Sequence, residues 1–317
     1  MSTLWACKIS PGVDVPGFFP PAVIIEVKAL ACELPRYIGV PLSRLSISEL
    51  HREVTSRGIV AKVSGMTLWR WLNEDAIKPW RYRSWIFPRD PQFSYKAGKI
   101  LDLYEGFWED KPLGSRDYVI SADEKTSIQA RKRKHDTLRP KPLQVMRIEH
   151  EYERKGAWTY LAAWDIRRAK IFGRCEEKNG IAPFDRLVNQ VMSKEPYISA
   201  QRVFWITDNC SCHRGDRSIK RLQRQWPNII LVHLPIHASW LNQIEIYFSI
   251  VTRKVLTPND FSSRSEVKER LFGFQKRYQE VAEPFEWKFT RTDLDRLCAK
   301  LSYNEQAEKR ELVASFC

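Results

Sequence analysis

"RVFWITDNCSCHRGD", residues 202–216, is the stretch on which the fold turns. Val203, Phe204, Trp205 and Ile206 form an unbroken apolar run that stops at Asp208. A run this short, without alternation and bounded by polar residues, reads as a strand covered on both faces. Cys210, Cys212 and His213 follow at once. The segment is therefore either a sulfur and imidazole metal site or a strand that delivers one carboxylate to a reaction centre.

The flanking pattern supports a sheet with helices packed on it. "DYVISADEKTSIQA" (117–130) reads as a strand, and "WTYLAAWDIRRAKIFGRCEE" (158–177) as two β-rich runs joined by a tight turn at "DIRRA". "GIAPFDRLVNQVMS" (180–193) is amphipathic and helical, "DRSIKRLQRQWP" (216–227) a basic helix, and "NIILVHLP" (228–235) a second buried strand. "SWLNQIEIYFSIVTRKVL" (239–256) reads as one long helix, capped by Ser239 and ended by Pro258. In it Leu241, Ile244, Phe248, Val251 and Val255 make the buried stripe, with Asn242, Glu245 and Ser249 on its flank. Three strands, then helix, strand, helix, strand and helix, predict an α/β domain with a mixed sheet.

Upstream the pattern is all helical. Residues 19–38 begin as a helix entered through two prolines. Ser46 with Glu49 is a capping-box pair for a helix to about Thr55. Gly58 ends that helix, a short helix is expected over Val60–Val63, and Met66–Asp75 forms the next after a Ser64-Gly65 turn. The arrangement matches a helix-turn-helix, with Thr67, Arg70 and Glu74 on the outer face of the last helix. Thr67 and Arg70 would then enter a major groove, and an ordinary solvated helix in a small bundle fits the pattern as well. Residues 81–112 read as a linker with a short helix around Lys96–Tyr104. There Arg81, Arg83 and Arg89 interleave with aromatic residues, which suits a phosphate backbone, and packing through the tryptophans is the competing reading.

A net charge of +14 and a pI near 9.5 point to a polyanionic partner, nucleic acid before a membrane surface. Seven cysteines with no Cys-x-x-Cys pair suggest neither a disulfide framework nor a zinc ribbon. A reducing, cytoplasmic setting is expected, with no signal peptide and no run of membrane-spanning length.

Three acids fall at comparable places: Asp123 inside the first strand, Asp208 closing the "VFWIT" strand, and Glu245 on the last helix. Carboxylates at sheet ends and on a covering helix suit hard divalent cations, since Mg²⁺ takes few protein oxygens and keeps its waters. Two such ions activate a water or a 3′-hydroxyl and stabilise the leaving oxygen of a phosphodiester. Any one Asp at a strand end is more often a turn residue. All three together, in a basic chain behind a helix-turn-helix, carry more weight.

"SADEKTSIQA", "FWITDNCSCHRG" and "HLPIHASWLNQIEIYFSIVTRKVL" resemble the signature blocks of bacterial insertion-sequence transposases, in the mariner-like branch known as the insertion-sequence family numbered six-thirty. "PFEWKFTRTDL" (284–294) is similar to the family's closing block, and the likeness runs from about Phe19 to Leu301. The resemblance implies an RNase-H-like catalytic domain and an Asp-Asp-Glu triad on Mg²⁺ or Mn²⁺, two ions in all. Matched to this chain, the triad and metal ligands are Asp123, Asp208 and Glu245. It also implies a homodimer on paired DNA ends, a TA-type target and a nucleoid-associated protein.

On that footing Asp208 is the working residue and "CSCH" is incidental. Cys-x-Cys-His has no second half at zinc spacing, and soft ligands sit poorly beside carboxylates that need a hard ion. His213 is expected to cap or pack. Asn209, His237 and Asn242 are placed as groups supporting the carboxylates. The basic loop 130–142, with Arg131, Lys132 and Arg133, reads as a solvated loop, with a DNA contact as the rival.

The predicted organisation is an atypical extension (1–18), a helix-turn-helix domain (19–80), a linker (81–112), the catalytic domain (113–301) and a tail (302–317). Relatives carry a further helical DNA-binding segment where this chain has "MSTLWACKISPGVDVPG" (1–17). DNA binding with strong salt dependence and little preference for element ends is expected in consequence. The function anticipated is a DNA transposase. The rivals are an RNase-H-like nuclease without strand transfer, and a truncated or inactive relic that only binds DNA.

Overall fold

The structure is a computed structural model that describes residues 19–82, 88–210 and 216–314, the side chains of 216 and 303–314 excepted. The chain divides into two compact units, Met1–Ile86 and Phe87–Cys317.

In the first unit α1 (Pro21–Cys32), α2 (Ile47–Ser56) and α3 (Gly65–Glu74) enclose a small core that includes Val27, Leu50, Val54, Leu68 and Leu72. The capping box forms as the sequence predicts: the Glu49 amide donates to Ser46 Oγ at 3.3 Å, and the Ser46 amide to Glu49 Oε2 at 2.7 Å. Val60–Val63 is not helical. It belongs to the connection between α2 and α3, where Gly58 takes a left-handed φ of 71° and Val60 and Val63 turn inward. Their side chains are apolar because they plug the core, and that burial reads as helix in a short window.

The second unit is built on a five-stranded mixed sheet. Before it come α4 (Phe93–Glu105) and a two-stranded ribbon of β1 (Phe107–Trp108) and β2 (Lys111–Pro112). The sheet strands are β3 (Asp117–Lys132), β4 (Glu153–Asp165), β5 (Lys170–Glu176), β6 (Arg202–Thr207) and β7 (Ile229–His233), in the order β5-β4-β3-β6-β7. β3, β4 and β5 pair antiparallel, whereas β6 and β7 run parallel to β3. α5 (Ile181–Met192) and α6 (Asp216–Gln225) connect the later strands, and α7 (Ile244–Lys254), α8 (Arg264–Gln279) and α9 (Arg291–Ala314) follow.

Strand alternation sorts the sheet's side chains between two cores. Val119, Ala162, Trp164, Phe204 and Ile206 face a core shared with α4, α7 and α8. Ile120, Leu161, Ala163, Val203 and Trp205 face the core of α5 and α6. Coverage on both sides is why "VFWI" shows no polar alternation. The branched and aromatic side chains among these contribute about 1.5–3 kcal/mol each on burial. Together they outweigh the roughly 1–3 kcal/mol cost of Thr207, whose buried hydroxyl has no hydrogen-bond partner among the described residues.

Two sequence expectations change here. The segment assigned to a linker contains α4, whose Phe93, Ala97, Ile100, Leu101 and Leu103 are core residues of the second unit. The helix expected over 239–256 is broken: a 3₁₀ turn at Ser239–Leu241 is followed by an extended Asn242, and only then does α7 begin.

Candidate active site

Register brings the first two acids level. Asp117 pairs with Arg202 where β3 meets β6, and the Arg202 guanidinium grips the Asp117 carboxylate with Nε at 3.0 Å and a second bond from Nη2. That partner holds the Asp117 carboxyl below the usual range. Pairing continues in step to Ser121 and Ile206. Asp123 and Asp208 each lie two residues further on, where β6 leaves its neighbour. By alternation Asp123 shares the α7 side of the sheet with Val119 and Ser121. Glu245 stands in the first turn of α7.

Asp123 is half-buried and held from two sides. The Glu124 amide donates to its Oδ1 at 2.8 Å, and Asn242 Nδ2 donates to its Oδ2 at 3.2 Å. Burial pushes its carboxyl up to about 8, opposed by the Glu124 amide, and the charges of Asp208, Glu124 and Glu245 add to the rise. Desolvation likewise raises Glu245, and Lys125 opposes it. Asp208 Oδ1 accepts the Cys210 amide at 2.9 Å, just after the end of β6.

The scaffold beneath these acids is polar and mostly buried. Asn242, expected on the flank of a long helix, fills the break before α7 instead. It is 1% exposed, and its Nδ2 also donates to the Ala122 carbonyl at 3.1 Å. Tyr104 of α4 braces the same break: its hydroxyl donates to the Leu241 carbonyl at 2.7 Å and accepts the Gln243 amide at 3.3 Å. Asn209 donates to the Leu234 carbonyl at 2.6 Å and ties the ends of β6 and β7 together. His237 is exposed, with a left-handed φ of 60°. Its loop is anchored by Asp90, which accepts the Ile236 amide at 3.1 Å and the Lys96 ammonium at 2.8 Å. Ser121 and Tyr104 escaped the sequence reading, because neither a lone hydroxyl in an apolar strand nor a Tyr in a presumed linker announces a partner far away in sequence.

Burial raises the carboxyl of Asp123 most, and the charges of Asp208, Glu124 and Glu245 add to the rise, which places acidic charge near it. Oxygen donors of this kind suit Mg²⁺ or Mn²⁺ in chemistry. Among the described residues, no three acid, His or Cys side chains stand close enough together to hold an ion as they are arranged.

The positions expected to meet DNA fare unevenly. Arg131 and Arg133 both stack on Tyr152, at 4.7 and 4.8 Å from its ring centre. Arg133 also donates to the carbonyls of His150 and Asn259 at 2.9 and 3.1 Å, so its guanidinium is occupied in holding the 133–152 loop. Lys132 is exposed. On α3, Thr67 joins the helix cap, its hydroxyl 2.9 Å from Ser64 Oγ, and Glu74 is bound by Lys28 at 3.2 Å. The open face of that helix is therefore Met66, Trp69, Arg70 and Asn73, at helical spacing. Arg81 is exposed, and Arg83, Cys212 and His213 lie outside the described residues.

Residues 118–268 match the DDE superfamily endonuclease family. The matched segment includes the whole sheet except the start of β3, and it contains Asp123, Asp208 and Glu245. The fold, a mixed sheet with flanking helices, is that of the RNase-H-like catalytic domain of DDE transposases. Solved structures with this fold include the Mos1 mariner paired end complex with Mn, at a TM-score of 0.52 and 14% identity over 93% of this chain and 80% of that one. The Mos1 paired end complex with Mg gives 0.50 and 16% over 93% and 81%. A pre-cleavage Mos1 transpososome gives 0.50 and 14% over 91% and 82%. No curated protein matches the chain in sequence. No helix among the described residues is long and apolar enough to cross a membrane.

The sulfur reading of "CSCH" has a direct test. A Cys210→Ser/Cys212→Ser protein should fold and cleave like the parent, and elemental analysis of the parent should find no stoichiometric zinc. One equivalent of zinc, lost on substitution, would restore the sulfur site.

Proposed function

We propose that this protein is a DNA transposase of an insertion sequence, within the bacterial mariner-like family numbered six-thirty. It would hydrolyse phosphodiesters at the element ends and join the freed 3′-hydroxyl to target DNA. The observation that supports the reading is that strand register sets Asp123 and Asp208 level where β3 and β6 diverge, with Glu245 in the first turn of α7. The charges of Glu245 and Asp208 are felt at Asp123, inside residues that match an endonuclease family. The solved relatives in complex with Mn and Mg support a divalent ion here, and Asp123, Asp208 and Glu245 would hold it. Such an ion supplies an activated oxygen nucleophile and neutralises charge on the leaving oxygen.

The chain's own groups do the rest. The Glu124 amide and Asn242 fix the two oxygens of Asp123, so the carboxylate keeps one orientation as DNA arrives. The Cys210 amide does the same for one oxygen of Asp208. Lys125, close enough to lower the Glu245 carboxyl, is placed to meet a backbone phosphate. In the first unit α2 and α3 act as a helix-turn-helix that presents Arg70 and its neighbours to a major groove. Two copies of the protein on paired element ends are the expected working form, supported by the paired-end complexes of the relatives.

Labelled element ends, supercoiled target DNA and Mg²⁺ or Mn²⁺ test the reading. End cleavage followed by joining supports a transposase. Cleavage without joining leaves the nuclease, and binding alone leaves the relic. For the first unit, Arg70→Ala should weaken binding by about 1–3 kcal/mol on one end sequence if it reads a base, and evenly on all sequences if it meets phosphate. Unchanged binding in a filter or anisotropy assay at near-physiological salt would remove α3 from the DNA interface.

A further inference from the structure

Ser121 lies in the middle of β3, wholly buried, and its hydroxyl makes two bonds. It accepts the Ile244 amide at 2.8 Å, and it donates to Oδ1 of Asn242, whose Nδ2 holds Asp123. The opening amides of a helix need partners from outside its own turn, usually from a capping side chain just ahead. Gln243, the residue before α7, makes no such bond. The partner for Ile244 comes instead from a strand 123 residues earlier in the chain. One hydroxyl thus joins the strand of Asp123, the amide that orients Asp123, and the start of the helix that carries Glu245.

We propose that Ser121 is a positioning residue: its hydroxyl pins the N-terminus of α7 to β3 and so sets the spacing between Asp123 and Glu245, while Asn242 carries the same constraint to the Asp123 carboxylate. This rests on the reading of Asp123 and Glu245 as metal-holding acids. The role needs a small group that donates and accepts together. A hydroxyl does so, an alanine does neither, and a thiol does both weakly.

Full-length protein is the material for the test, with Mn²⁺ affinity measured without DNA from the paramagnetic signal of the free ion. Ser121→Cys, nearly the same shape, should weaken Mn²⁺ binding about 10–100-fold, the usual range for groups that orient metal ligands. It should also speed hydrogen exchange at the Ile244 amide, while amides of Val203–Ile206 keep their protection. Ser121→Thr, which restores a hydroxyl, should return both readings close to the parent. Asn242→Leu is the second variant if Ser121→Cys does not fold: Mn²⁺ binding should weaken while the Ile244 amide stays protected by Ser121. Parental Mn²⁺ affinity in folded Ser121→Cys, or in Asn242→Leu, overturns the proposal. Asp123→Asn separates the two levels. If it binds Mn²⁺ like the parent, the metal-site reading fails and the proposal falls with it. If it loses Mn²⁺ and Ser121→Cys does not, only the positioning role falls.

Discussion

Asp208→Asn is expected to lower DNA cleavage by several orders of magnitude while leaving DNA binding intact or stronger. The substitution keeps the shape of the side chain, and its amide oxygen can still accept the Cys210 amide just beyond β6. What disappears is one negative charge from a site where burial, with neighbouring acids adding to it, lifts the Asp123 carboxyl. A divalent ion held by three carboxylates depends on those charges more than on any single contact. Gel-resolved end cleavage in Mg²⁺ measures the loss, and a parallel anisotropy titration follows binding. Cleavage at the parental rate in the Asn variant would show that Asp208 is a turn residue and nothing more.

The second large effect concerns stability in a chelator. Burial and neighbouring acids push Asp123 up to about 8 in the folded protein, from an ordinary value of 3.8. Below pH 4 the group is protonated in both folded and unfolded chains and costs nothing. Between pH 4 and 8 it ionises on unfolding but not in the native site, so stability falls as pH rises, by about 1.4 kcal/mol per unit. The full penalty, reached above pH 8, is at most about 5–6 kcal/mol. Asp123→Asn escapes it. The variant should therefore melt with the parent near pH 4 and well above it at pH 8, by on the order of 10 °C for a domain of this size. Added Mn²⁺ should narrow the gap by stabilising only the parent. Calorimetry in EDTA that shows the same difference at both pH values would mean that Asp123 is not strained as described.

The sheet was legible in the sequence because its signals are local. "VFWI" and "IILV" are continuous apolar runs, and strands covered on both faces have few other ways to read. Asp123 and Asp208 stood out as the acids that interrupt or close such runs. The break before α7 was not legible. Leu241 and Ile244 are both buried and keep helical spacing across it, so the apolar stripe conceals an extended Asn242. What forces the break is non-local: Tyr104 takes the Leu241 carbonyl and Ser121 the Ile244 amide. α4 is legible as a helix around Lys96–Tyr104, but its place in the core is not, for a related reason. Prolines and basic residues around it resemble linker, and its buried face is defined only by the sheet it covers. Arg133 shows the same limit for charge, since a basic run gives no sign that one guanidinium is engaged by backbone carbonyls.

The closing block, "PFEWKFTRTDL", lies across the α7 side of the sheet. Phe285 stacks on Trp164 at 4.6 Å, Trp287 meets Tyr104 at 5.1 Å, and Phe289 meets Trp240 at 5.1 Å. Arg291, at the start of α9, grips Asp102 of α4 at 2.8 Å, and Leu294 is fully buried. The earliest and latest segments of the second unit are thus fastened together over its centre. A fragment trimmed to the matched residues 118–268 would lose both, exposing the apolar side of β4 and removing the Tyr104 brace beneath Glu245. The smallest piece expected to fold as the second unit begins ahead of Asp90 and runs past Leu294. On the proposed function, a premature stop between Glu245 and Leu294 should abolish activity while sparing all three acids.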